Sequence, residues 1–205
     1  MALSFKKQFQ LTLLIVTSLL LTACATTLNK QVLNNVKTIG IVNYLPKTPY
    51  MITSGTTLIN TEFDKINDPQ FYQLINDTFV KHIESRGYKV AILEKNDKEN
   101  FDLIIKLNPG SFETNPSMVS YGLHHDSLLG MPLRTFAYMA IDYQTCLKEE
   151  FMCVAEQVDA RTKIDIRVLP IEYEDLSPEE KTYAAQKLND VIEAAVTKLL
   201  IQSGI

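Results

Sequence analysis

Few side chains in this 205-residue chain are equipped for chemistry, and most of those sit in two places. There are three cysteines, Cys24, Cys146 and Cys153, and three histidines, His82, His124 and His125. A thiol can be alkylated, oxidised to a disulfide or used as a metal ligand. Imidazole beside carboxylate, as in His124-His125-Asp126, offers metal ligands or a general base. Neighbouring side chains in an extended segment point to opposite sides, so two adjacent His chelate one metal poorly, and a third ligand has to come from elsewhere. A Ser-His-Asp reading with Ser120 or Ser127 lacks a Gly-x-Ser-x-Gly elbow, and triads are not built from sequence neighbours. His124, His125 and Asp126 are thus weak candidates for a metal or small-ligand site, and no catalytic residues are assigned. No Gly-rich phosphate loop, CxxC or HExxH occurs. Nothing calls for a cofactor, and the chain is expected not to be an enzyme.

Cys24 has the strongest context. Lys6 and Lys7 precede an uncharged, mostly apolar run, Leu11 to Leu21. That run has the length of a signal-peptide core and is too short for an ordinary membrane span of about 20 residues. Leu20-Leu21-Thr22-Ala23-Cys24 then places small residues before a cysteine. This resembles the lipobox of bacterial lipoproteins. The resemblance implies diacylglycerol on the Cys24 thiol, cleavage before it, and acylation of the new amino terminus. One acyl chain alone anchors only marginally, so several are needed for stable attachment. The residue after Cys24 is Ala25 rather than Asp, which in Gram-negative lipoproteins implies transfer to the outer membrane. The expected organisation is a signal peptide over 1–23, a tether over 24–35 and one periplasmic domain over 36–205. The tether reaches no further than ~35 Å at about 3.3 Å per residue.

Removing residues 1–23 leaves 205 − 23 = 182 residues, ample for one core. It also removes Lys6 and Lys7, so the formal charge moves from −4 to −6. An acidic balance disfavours non-specific nucleic-acid binding, which needs clustered Lys and Arg. The two remaining cysteines are even in number and lie in the exported part, where disulfides persist. A turn over Lys148 to Phe151 would set Cys146 opposite Cys153 in a cross-hairpin disulfide. Two free thiols in a strand core, or metal ligands, are the alternatives, and the absence of a nearby His makes a poor zinc site.

Elements must position these residues. Val36 to Tyr44 is strand-like, Thr53-Ser54-Gly55 turns, and Thr56 to Phe63 forms a shorter strand. Asp68-Pro69 starts a helix with Phe71, Leu74, Ile75, Phe79, His82 and Ile83 on one face, and Gly87 ends it. His82 on that stripe reads as a packed structural histidine. Strands follow at Tyr88 to Leu93 and Phe101 to Leu107, broken by Asn108-Pro109-Gly110. Ser111 to Pro132 reads as a long loop, of the kind that is often functional. Leu133 to Cys146 and Cys153 to Leu169 form a hairpin, the second strand alternating apolar and charged. Ser177-Pro178-Glu179-Glu180 caps a last helix running to about Ser203. Tyr121, Tyr138 and Tyr143 are core or interface aromatics.

The expected class is α+β: a mixed or antiparallel sheet of five to six strands with two helices on one face. The element order, with Arg86-Gly87-Tyr88-Lys89-Val90 and Phe101-Asp102-Leu103-Ile104, resembles the α/β domain of TolB amino-terminal domains, the curli-secretion lipoprotein and the lipoprotein activators of penicillin-binding proteins. Tyr44-Leu45-Pro46 stands where that group has Pro-Phe. The resemblance implies a non-enzymatic domain that docks other envelope proteins and carries no functional residue across. The expected partners are therefore a membrane, through lipid, and an envelope protein, reached through a sheet edge or the 111–132 loop. The alternative is a metal- or small-ligand-binding lipoprotein using that loop.

Overall fold

A computed structural model of the chain describes residues 33–55, 61–94, 100–111, 120–129, 131–148, 153–164 and 173–205. The expected signal peptide, Cys24 and most of the expected tether lie outside them, as do residues 56–60 and 165–169 of two expected strands, 112–119 of the expected loop and most of the 148–151 turn.

The strands are β1 (Thr38–Asn43), β2 (Tyr50–Ser54), β3 (Thr61–Lys65), β4 (Lys89–Ile92), β5 (Leu103–Pro109), β6 (Tyr121–Leu128), β7 (Met131–Leu147) and β8 (Cys153–Lys163). The helices are α1 (Gln70–Glu84) and α2 (Pro178–Gln202), with a short 3-10 turn at Tyr173–Asp175. The sheet is mixed and has eight strands rather than five to six. The discrepancy has a simple origin in β7. Its second half, Ile141 to Leu147, pairs with β5, and its first half, Met131 to Met139, pairs with β6 on the same edge. β5 and β6 therefore lie end to end. β1 runs parallel to β5 and β2 parallel to β6, so they too lie end to end. β4 and β3 flank these outer halves, and β8 covers the other edge of β7. Eight strands thus fill five rows. At about 3.3 Å per residue the 17-residue β7 makes the sheet roughly 55 Å long.

The interrupted inner rows, β5 with β6 and β1 with β2, explain what the sequence conceals. Thr53 and Ser54, expected in a turn, belong to β2, and the chain turns only at Gly55 (φ +79°). Pro109 closes β5 rather than breaking it, opposite Ile141. The chain then leaves at Gly110, whose N–H donates to the Ala140 carbonyl, and returns at Ser120, whose carbonyl accepts from Ala140 N–H. The expected 111–132 loop accordingly contains all of β6 and the start of β7.

Both helices follow their sequence signals. The Asp68 carboxylate accepts the Gln70 N–H at 3.0 Å, and Pro69 takes the cap position. Gly87 (φ +89°) ends the turn after α1, its N–H donating to the Glu84 carbonyl. Ser177 and Glu180 form the full capping box of α2, with Pro178 in its first turn. α1 and α2 touch through His82 and Glu193 (2.5 Å), so His82 is structural, and Glu193 sits below its ordinary range because that hydrogen bond favours its carboxylate. Ile75, Phe79 and Ile83 of α1 and Leu188, Ile192, Ala195 and Leu199 of α2 share one core with the sheet. The sheet contributes Ile39, Ile41, Leu103, Ile105, Leu107, Leu123, Met139 and Ile141. Each such side chain contributes roughly 1.5–3 kcal/mol on burial. Leu33 joins this core and packs beside Gly204 at the end of α2. The opposite sheet face carries a second cluster, Ile52, Phe136, Tyr138 and Ala140. A Cys146–Cys153 disulfide closes β7 onto β8, at directly opposed positions. Among the described residues no helix is long and apolar enough to cross a membrane.

Candidate functional site

β6, β7 and their connection form a hairpin at the end of the sheet remote from Leu33. Its body is polar and ordered. Its tip is apolar and exposed.

In the body, β6 alternates strictly. His124 faces the second cluster and His125 the helix-covered core, so the two rings lie on opposite faces of the sheet. His124 Nε2 is 3.0 Å from Asp126 Oδ1 and 3.2 Å from Ser54 Oγ. Its ring centroid lies 4.9 Å from that of Phe136 and 6.4 Å from that of Tyr138. Asp126 also accepts from Arg134 Nε across the hairpin, and the Arg134 guanidinium stands 5.6 Å over the Phe136 ring. On the other face His125 Nδ1 meets Thr135 Oγ1 at 2.9 Å. Thr53, His125 and Thr135 are neighbours in register across β2, β6 and β7, and all three are buried. Burial lowers the His125 pKa below 6.5, against a smaller opposing pull from the Asp126 charge, so the ring is neutral at pH 7.

Each face has its own polar network. His124, Asp126 and Ser54 share one side, and His125 is turned away from them. Among the described residues no three His, Cys, Asp or Glu side chains gather in a metal-holding group. The chemistry these residues perform in the fold is to pin β6 to β2 and β7.

Two glycines set the close approach that this needs. Gly122 has φ +152°, and a Cβ there would stand 1.8 Å from the Tyr50 carbonyl oxygen. Gly55 has φ +79°, and a Cβ there would stand 1.9 Å from the Ser127 carbonyl oxygen. Ser127 Oγ in turn donates to the Ser54 carbonyl at 2.9 Å. The hairpin therefore emerges from a base clamped by β2.

Beyond that base the chain has no charge from Ser127 to Leu133. Leu128, Leu129, Met131 and Leu133 are 51–65 % exposed, contributed by both strands and the turn. Among the described residues the other exposed large apolar side chains, Phe63, Ile92 and Ile201, stand singly on β3, β4 and α2. Scattered exposed apolar residues are ordinary, but a contiguous group marks a contact surface. A β-bulge at Asp126/Ser127 shifts the register where the tip begins. Leu129 sits at φ +52°, a conformation that costs an ordinary L-residue roughly 1–2 kcal/mol. Because Leu128 pairs with Met131, Leu129 opens a two-residue hairpin turn, in which positive φ is the required geometry and a leucine bears its cost.

Sequence reasoning missed this tip, because Gly130 and Pro132 read as turn punctuation. The signal was the density of Leu and Met in a stretch without charge, between Asp126 and Arg134. The tyrosines resolve cleanly: Tyr121, Tyr138 and Tyr143 are all buried. Tyr121 donates to the Pro46 carbonyl at 2.8 Å, and burial pushes its pKa up.

A scan against protein-family models finds no match. A comparison with curated proteins finds no relative. Among solved structures, the chain is similar to a minor lipoprotein from Acinetobacter baumannii at 9 % identity, over 82 % of this chain and 90 % of that one, with a TM-score of 0.41. It is also similar to a hypothetical protein from Chlamydia trachomatis at 6 % identity, over 80 % of this chain and 94 % of that one, with a TM-score of 0.38.

Proposed function

We propose that the chain is a lipid-anchored envelope protein whose domain is a non-enzymatic interaction module, an accessory to assembly or transport at the periplasmic face of the outer membrane. The anchor follows from the lipobox-like stretch ending at Cys24. The docking element is the β6–β7 tip.

One observation carries the reading: Leu129, at positive φ on the apex of the hairpin, stands exposed together with Leu128, Met131 and Leu133. Such a residue is explained by burial against something outside the chain. His124, Asp126, Arg134 and Ser54 support the tip by stiffening its base. His124 Nε2, the Asp126 carboxylate, Arg134 Nε and Ser54 Oγ are engaged with one another, in keeping with a positioning role.

The test places a photoreactive residue at Leu129 of the full chain in cells and reads the mature amino terminus by mass spectrometry. Expected are an acylated Cys24 and light-dependent adducts with an envelope component, protein or lipid, that do not form from the exposed helix position Asn189. An unmodified Cys24, or equal labelling from both positions, would contradict the proposal.

A further inference from the structure

Resting on that reading, we infer that the component met by the β6–β7 tip is the lipid bilayer itself, so that the tip is a second membrane contact beside the lipid at Cys24.

The composition of the tip points to lipid. Its side chains are aliphatic or thioether, from Leu128, Leu129, Met131 and Leu133, with no aromatic or hydrogen-bonding anchor. Protein hot spots favour Trp, Tyr and Arg seated in shaped pockets. The exposed side chains come from β6, the turn and β7 together, so the tip is an apolar projection rather than one docking face. A fluid phase surrounds a projection without needing a complementary pocket. Ser127 pairs with Pro132 and Leu128 with Met131, while the bulge skips Leu133 and the outer edges of the tip lie beyond the strand ends of β2 and β8. Such a backbone suits a shallow contact in the headgroup region, where water still reaches it, rather than immersion in hydrocarbon. Arg134 and Asp126 then mark the level at which charge resumes.

The length and end-point of the tether allow the contact. Cys24 and Leu33 are nine residues apart, which limits Leu33 to ~30 Å from the bilayer at about 3.3 Å per residue. Leu33 packs by Gly204, and the neighbouring Ser203 lies against Tyr143. From Tyr143 back to Met131 is twelve residues of β7, or about 40 Å. Anchor and tip therefore hold opposite ends of the sheet, and both reach one membrane when its long axis lies along the surface. Acyl attachment is strengthened when a second signal accompanies it.

The experiment uses the full acylated chain with Leu129→Cys, carrying a polarity-sensitive fluorophore, in vesicles of phosphatidylethanolamine and phosphatidylglycerol. Asn189→Cys carries the same probe for comparison. Expected are a blue-shifted Leu129 probe, quenched several-fold more strongly by acyl-chain spin labels than the Asn189 probe and shielded from iodide, and loss of both effects on adding Leu133→Asp. A chain that floats with the vesicles while its Leu129 probe stays as iodide-accessible as that at Asn189 would overturn the inference and leave the anchor standing. Persistence of lipid quenching with Leu133→Asp would also overturn it. A chain that does not float would overturn both, since neither contact then holds it.

Discussion

Replacing Leu129 by Asn should stabilise the isolated protein, which is an unusual expectation for removing a leucine. Folding leaves 61 % of Leu129 exposed, so only the remaining two-fifths of its burial is at stake. With roughly 1.5–3 kcal/mol for a fully buried leucine, that fraction is worth about 0.6–1.2 kcal/mol. Holding leucine at φ +52° costs about 1–2 kcal/mol, and Asn tolerates that region far better. The balance favours Asn by about 0.5 kcal/mol, or a rise in Tm of about 1–2 °C for a domain of this size. Urea unfolding of the purified, acylated protein in non-lipid detergent, fitted with a common m-value, measures it. A loss of more than about 1 kcal/mol would mean instead that Leu129 is packed and that its burial outweighs any backbone strain. A buried reference on the same hairpin, Leu123→Ala, should cost about 2–5 kcal/mol.

Three further outcomes follow from the same geometry. Gly122→Ala forces a methyl to 1.8 Å from the Tyr50 carbonyl oxygen, so β2 and β6 must separate; a loss of at least about 1–3 kcal/mol is expected in urea unfolding, and a near-neutral result would contradict the close pairing. The neutral, buried His125 has a folded pKa below 6.5, whereas the unfolded ring takes a proton as pH falls through about 6.5. Its contribution is complete above that pH and is lost below it, with a slope of up to about 1.4 kcal/mol per pH unit. His125→Gln should flatten the fall between pH 6.5 and 5, and an unchanged pH profile would count against a buried neutral ring. Replacing both Cys146 and Cys153 by Ser removes a link across only seven residues of separation and should cost about 2 kcal/mol, read as the difference in urea midpoints, while retained helix signal shows that the fold survives.

The elements that depend on local chemistry were legible in the sequence. Ser177, Pro178 and Glu180 announce α2, Asp68-Pro69 and Gly87 bracket α1, and the spacing of Cys146 and Cys153 anticipates their pairing. β2 and β6 were hidden because their partners are remote: Tyr50 meets Gly122 across 72 positions of sequence. β6 also places Gly122, His124 and Asp126 on one face, which breaks the apolar alternation by which a strand is recognised. The division of each inner row into two strands depends on pairing along β7, which no local pattern expresses. Of the candidate site, His124, His125 and Asp126 were singled out for their chemistry, and the strand explains why they act apart. The expectation that adjacent histidines face opposite ways is met in the geometry of β6. The apolar tip beyond them is legible only once its exposure is known, because the same leucines in a core would need no explanation.

If the proposed function holds, the β6–β7 tip is covered in the envelope although none of the described residues of the chain covers it. Labelling of Leu129→Cys by a water-soluble maleimide, compared between permeabilised cells and the purified protein in non-lipid detergent, tests this most directly, with Asn189→Cys as the exposed reference. Leu129→Cys should react slowly relative to Asn189→Cys in cells, and Leu129→Asn, carrying a reporter cysteine at Leu133, should restore rapid labelling there. Equal rates at Leu129 and Asn189 in cells would contradict it.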